Sequence, residues 1–328
     1  MKKSIDIDDM VQRLLAGDRR AAARLITLVE DGMEESHEVM KRVYPHTGQA
    51  IIVGITGSGG VGKSTLTDHL IHKLRKQGKM VGVVVVDPSS PFSGGAFLGD
   101  RIRLQSHSQD DGVYIRSMAS RGYLGGLSRS TYDVIRIIEA MGMEVIIVET
   151  LGAGQDEVDV IHIAHTCLLV LTPGMGDDIQ AMKAGIMEIA DIIVLNKADL
   201  QGANTSLRHL QSTLSVVSLK GKEWIPPIIP TVSVASKAKN IQGIDELTAA
   251  ITRHHEYLQK TKVIDQIEFE RVEQELGLIF KDELQKLIFK GLKGTGKKKK
   301  YINSIIEARA DPYSVVEEVL NTYLVPRQ

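Results

Sequence analysis

The chain has 328 residues, 43% of them hydrophobic and 25% charged, with a formal net charge of −1. That length suits one large α/β domain with helical additions, or two domains, and the near-neutral balance offers no field for nucleic acid or an anionic membrane. Aromatic residues at 4% argue against base-stacking platforms, and the single cysteine, Cys167, excludes an intramolecular disulfide and fits a reducing compartment. No apolar run reaches the ~18 residues of a membrane-spanning helix. The opening MKKSIDIDDM soon turns acidic, with neither the apolar core of a signal peptide nor the arginine-rich character of a transit peptide, so a cytoplasmic location is expected.

Residues 5–45 read as helices, with a break at Gly17 and Asp18 as an N-cap. Leu25, Ile26, Leu28 and Val29 give the second helix an apolar face, and the stretch from Pro45 to Gly48 closes this arm. From residue 51 the rhythm changes to short, β-branched apolar runs at 51–56, 80–86, 144–148, 167–171, 191–195 and 228–232. Continuous rather than alternating runs suit strands covered on both faces. Helical segments separate most of them, as at 63–77, where Leu66, Leu70 and Leu74 recur and Gly78 is a stop. Strand–helix alternation implies right-handed crossovers and a parallel sheet. A helix follows Gly243, and residues 259–328 look mostly helical. There Leu276, Ile279, Phe280, Leu284, Leu287 and Ile288 form one apolar stripe, and Val315, Val316, Val319 and Leu320 another. The glycine- and lysine-rich break between them, with Lys297–Lys300, is expected to be a solvated loop.

Gly57, Ser58, Gly59, Gly60, Val61, Gly62, Lys63 and Ser64 match G-x-x-x-x-G-K-[ST] between a predicted strand and a predicted helix. The glycines let the backbone curl so that successive N–H groups face phosphate oxygens, and the helix N-terminus adds partial positive charge. Lys63 then reaches the β- and γ-phosphates and Ser64 offers its hydroxyl to Mg²⁺, with Thr65 following in the first turn. Asn196, Lys197, Ala198 and Asp199 form N-K-x-D at the end of another predicted strand. The Asp199 carboxylate can accept from both N1–H and the exocyclic amine of guanine, a donor pair that adenine lacks, which points to GTP and GDP. Asp87 and Glu149 end predicted strands where ligands of open α/β sheets collect, and Asp100 follows a glycine-rich loop, so all three are candidates for the Mg²⁺ region. His162 and His165 bring no further ligands nearby and are expected to pack or lie at the surface. Cys167 is expected to be a small buried hydrophobe.

Together with AGDRRAAARLITLVED (16–31), VDPSSPFSGGAFLGDRIRL (86–104), VIIVETLGAGQDE (145–157), PGMGDDIQAMKAGIMEIAD (173–191) and VLNKADL (194–200), these motifs resemble the GTPase chaperones of adenosylcobalamin-dependent methylmalonyl-CoA mutase, the MeaB/ArgK/MMAA family. The resemblance runs nearly end to end. It implies a SIMIBI-type P-loop GTPase sheet, with Glu149 at the switch II position, between helical arms. The implied division is a helical arm at 1–45, a GTPase domain at 46–258 and a helical dimerisation arm at 259–328. The family pattern places Lys63, Asp100 and Glu149 in catalysis, and Ser64, Asp87, Asp100 and Glu149 about the metal. It places the backbone of Ser233, Val234 and Ala235 at guanine O6. Asp177, Gln180 and Lys183 fall in a loop that couples nucleotide state to the mutase. The implied partners are that acyl-CoA mutase and a second copy of the chain, with no nucleic acid and no membrane. Two departures stand out: Gly59 replaces a proline of many relatives, and SVASKAKNIQGI is longer than the usual S-A-x-x-x-x-G-I. Two rivals follow from the same motifs. A nickel metallochaperone GTPase would need a Cys/His ligand set, and a kinase of basic amino acids would need an acceptor pocket and ATP.

Overall fold

The structure, a computed structural model, describes residues 6–87, 105–119, 129–150, 160–174, 190–216, 223–234, 240–292 and 296–323. The chain forms two compact units, residues 1–271 and 272–328.

The first unit opens with three helices: α1 (Ile7–Leu15), α2 (Arg19–Glu30) and α3 (Ser36–Val43). Asp6 caps α1 by accepting from the Asp9 N–H, and Asp18 caps α2 by accepting from Arg20 and Ala21, which satisfies N–H groups that a helix start leaves unpaired. The apolar face read from Leu25, Ile26, Leu28 and Val29 is buried. It lies against α5 (Arg129–Ala140).

The described residues contain seven strands in one sheet: β1 (Ile51–Thr56), β2 (Val81–Asp87), β3 (Val113–Ala119), β4 (Val145–Thr150), β5 (Thr166–Leu171), β6 (Ile192–Leu195) and β7 (Ile228–Pro230). Their order is β3-β2-β4-β1-β5-β6-β7, and every pairing is parallel. Two further helices, α4 (Lys63–Lys76) and α7 (Ile244–Thr261), cover one face. Their Leu66, Leu70, Ile71, Leu247 and Ile251 share a core with Val53, Ile55, Val83, Ile147, Leu168 and Val194. The α5 helix packs against β2 and β4, and α6 (Ala203–Val216) supplies Leu210 and Leu214 to a smaller cluster with Leu169, Leu171, Ile193 and Leu195. Burial on both faces is why the strands read as unbroken apolar runs.

β3 escapes that rule and is absent from the sequence expectation. Among the described residues it is an edge strand, paired only with β2. Its run VYIRSMA carries Arg116, which pairs with Glu30 of α2, and Tyr114, whose ring lies 5.8 Å from the Arg19 guanidinium. An edge strand half-covered by a polar helix face has no need of a continuous apolar sequence.

Polar side chains close the amino edge of the sheet. His165, just ahead of β5, accepts from the Ile52 N–H at 3.1 Å through Nδ1, so Nε2 carries its hydrogen, 2.6 Å from Glu268. Glu268 belongs to α8 (Val263–Leu292), the helix within which the first unit ends. Arg271 also donates to Glu268, at 2.9 Å. His254 of α7 meets Thr166 at 2.9 Å and lies 3.4 Å from Asp191. His165 thus packs, as expected, and no metal-holding group of His, Cys, Asp or Glu occurs among the described residues. Cys167 is buried, which raises its thiol pKa.

In the second unit the remainder of α8 is followed by α9 (Lys297–Ile306) and α10 (Pro312–Tyr323). The lysine run corrects the sequence expectation: Lys297–Lys300 are exposed but form the first turn of a helix, entered through Gly296 at φ 66°. Lys298 lies 5.0 Å over the Phe289 ring, and the apolar YINSII that follows carries the helix onward. Among the described residues, no helix is long and apolar enough to cross a membrane.

Candidate functional site

A cleft of about 590 Å³ opens at the carboxyl edge of the sheet, where ligands of such folds bind. Its walls are Gly59, Gly60, Gly62, Lys63, Ser64 and Thr65 on one side and Asn196, Lys197, Ser233 and Val234 on the other. The first set is the turn from β1 into α4. Gly57 leaves the strand at φ 138°, and a Cβ there would stand 2.2 Å from the Val170 carbonyl oxygen. Gly62 sits at φ 97°, where a Cβ would meet Asn196 Nδ2 at 2.4 Å. Both positions exclude a side chain by conformation and by space. Gly59 faces open space, so the loop itself does not demand glycine there. Val61 is buried and anchors the loop in the core. The Lys63 ammonium donates back to the carbonyls of Gly57 and Ser58.

One helical turn into α4, two hydroxyls hold a buried carboxylate. Ser64 Oγ donates to Glu149 Oε1 at 2.6 Å, and Thr67 Oγ1 donates to Glu149 Oε2 at 2.8 Å. Glu149 is fully buried within β4. Hard oxygen donors next to a phosphate-binding loop fit Mg²⁺. Asp87 closes β2. Its side chain lies outside the described residues, as do Asp100, Ala235 and the loop residues Asp177, Gln180 and Lys183.

The other wall is knitted by Asn196, just beyond β6. Its Nδ2 donates to the Val61 carbonyl at 2.8 Å, while its Oδ1 accepts from Thr231 at 3.0 Å and from Ser233 at 2.6 Å. One buried amide therefore ties the phosphate loop to the segment after β7. Lys197 adopts φ 55° and donates through Nζ to Gly60 at 2.7 Å, laying its stem along the cleft. Asp199 is exposed in the turn that follows, beside rather than within the cleft wall.

Ser64, Lys63, Glu149, Asn196, Lys197, Ser233 and Val234 thus gather at one edge. Three contributors escaped the sequence reading. Thr67 had a signal, since it lies three residues after Ser64 and so on the same helix face. His69, whose Nε2 is 2.8 Å from the Ser233 carbonyl, and Thr231 had none, because their partners are distant in sequence.

The family model described as methylmalonyl Co-A mutase-associated GTPase MeaB matches residues 22–293. A Pyrococcus abyssi protein named as a GTPase is 47% identical over 316 residues, covering 96% of each chain. The GTPase ArgK of Escherichia coli is 36% identical over 250 residues, 74% of each chain. The mitochondrial methylmalonic aciduria type A homolog of Caenorhabditis briggsae is 35% identical over 245 residues, 68% of this chain and 59% of that one. Among solved structures, a crystal structure of an LAO/AO transport system kinase superposes with a TM-score of 0.70 at 23% identity, over 99% of this chain and 100% of that one, a likeness of fold. The P-loop, the parallel sheet and this agreement across most of the chain place the protein in the MeaB family of GTPases.

Proposed function

We propose that the protein hydrolyses GTP in the carboxyl-edge cleft and that the cycle gates cofactor loading or repair of an adenosylcobalamin-dependent acyl-CoA mutase. The observation that carries the site is the convergence of Lys63 and Ser64, Asn196, and Glu149 behind Ser64, on one cleft from three separate stretches of the fold. In this reading the 57–62 N–H groups receive the phosphates, and Lys63 turns from the Gly57 and Ser58 carbonyls toward β- and γ-oxygens. Ser64 and Glu149 hold Mg²⁺, joined by Asp87 and Asp100. When bound, Mg²⁺ neutralises charge on the terminal phosphates. Asp199 accepts from the guanine edge while Lys197 covers the base.

The mutase link is supported by the description of the matching family and by the name of the Caenorhabditis briggsae relative. Asp177, Gln180 and Lys183 would couple the cleft to that partner. A second copy of the chain is supported by the second unit, where Leu276, Phe280, Leu284 and Leu287 of α8 are 48%, 64%, 43% and 49% exposed. An apolar row of this kind is commonly covered by a symmetric dimer. The test is phosphate release with and without a methylmalonyl-CoA mutase. Docking should raise turnover substantially, by up to ~10⁵-fold, the scale reached when a partner completes a phosphoryl-transfer site. Lys183→Ala should remove the stimulation and leave basal turnover intact. Unchanged turnover at saturating mutase would overturn the coupling.

A further inference from the structure

The base-reading wall of the cleft depends on one peptide plane, that between Ser233 and Val234. Ser233 is 4% exposed, and its hydroxyl is held by Asn196 at 2.6 Å. Its carbonyl oxygen lies 2.8 Å from Nε2 of His69, on the second turn of α4. A carbonyl only accepts, so Nε2 carries the hydrogen, as it does in one neutral tautomer and in imidazolium alike. The preceding residue is fixed as well: Val232 and Gln242 exchange two backbone hydrogen bonds of 3.0 Å each. A trans peptide is planar, with its C=O and N–H on opposite sides. By holding the Ser233 carbonyl toward α4, His69 therefore turns the Val234 N–H away from α4, and both residues line the cleft.

We infer that His69 is a positioning residue for guanine recognition: it orients the Ser233–Val234 peptide so that the Val234 N–H donates to O6 of the base. This rests on the reading of the cleft as a guanine site. It adds a second bridge between phosphate helix and base loop beside Asn196, closing a ring from Val61 through Asn196 and Ser233 to α4. The consequence is a selective one. Losing His69 releases the donor to O6 but leaves the phosphate N–H groups, Lys63 and the Asp199 contact in place.

The experiment compares dissociation constants for GDP, 6-thio-GDP, ADP and tripolyphosphate in wild type, His69→Ala and His69→Gln, by calorimetry. Sulfur at position 6 is a poor acceptor and probes the donors that face O6, apart from the phosphate and Asp199 contacts. His69→Ala should weaken GDP about tenfold, the scale of one hydrogen bond, and shrink the sulfur penalty to within about twofold of none. Tripolyphosphate affinity and melting temperature should stay at wild-type values, and His69→Gln, which keeps an N–H donor, should restore GDP affinity and the sulfur penalty. A His69→Ala protein with wild-type GDP affinity and sulfur penalty overturns the assignment. So does equal loss of GDP and tripolyphosphate affinity, which marks a general role in folding the loop. A wild type that binds ADP as tightly as GDP refutes the guanine reading itself, an outcome separable from the other two.

Discussion

The carboxyl and amino edges of the sheet both carry polar side chains but use them differently. At the carboxyl edge, polar groups reach across the cleft and hold backbone in place: Asn196 grips Val61, Lys197 grips Gly60, and His69 approaches Ser233. Glycines at φ 138° and 97° keep the loop from filling itself with side chains. At the amino edge, side chains bond one another and the starts of the strands, as where His165 accepts from Ile52 and Asp191 from Cys167. His165 joins Glu268 and Arg271, His254 meets Thr166 and Asp191, and the Trp224 ring lies tilted 4.7 Å from that of His254. The first arrangement holds a glycine-rich loop against an open cleft, whereas the second joins helices to strands. The lesson is that buried polarity marks a binding site only where it leaves backbone donors facing an open volume.

This contrast is broken most sharply at Lys63. Lys63→Ala should reduce GTP turnover by about 10³-fold, the scale on which one preorganised charge acts on a developing anion, and the melting temperature should fall little, because the amino edge is untouched. Phosphate release and thermal unfolding measure the two halves. Near-wild-type turnover would dismantle the assignment of the cleft.

Next in size is the acid response of the amino edge. Burial, aided by the neighbouring His255, pushes the His254 pKa down from 6.5 to about 4. Between those values the unfolded chain holds the proton and the folded one does not. Stability is therefore intact above about pH 6.5 and falls as the pH drops toward 4, by about 3 kcal/mol in all. Denaturant titrations across that window should show the slope in wild type and a flatter curve in His254→Gln. An equal slope in both would show that other groups carry the acid sensitivity.

The smallest effect sharpens the contrast within the carboxyl edge. Thr67→Val keeps the shape of the side chain but removes the donor to Glu149 Oε2. A buried carboxylate oxygen that loses its partner is costly, and turnover should fall about tenfold, with a higher Mg²⁺ requirement. Thr67→Ser should recover both. Wild-type Mg²⁺ dependence in Thr67→Val would show that Thr67 does not orient the acid.

Much of this was legible in one dimension. Strands β1, β2, β4, β5 and β6 were visible because burial on both faces demands continuous β-branched runs. The Asp18 cap was visible because its partners lie two and three residues away, and the phosphate loop and the Asn196–Asp199 turn because each sets its residue types in one contiguous run. The strand order β3-β2-β4-β1-β5-β6-β7, the edge strand β3 and the helical start at Lys297 were decided only by the tertiary structure. So were the roles of His69, of Thr67 beyond the helix face it shares with Ser64, and of Thr231. Their partners, Ser233, Glu149 and Asn196, are 164, 82 and 35 residues away. A hydrogen bond across such a span leaves no periodicity or spacing in the chain, because packing rather than sequence neighbourhood brings its two ends together.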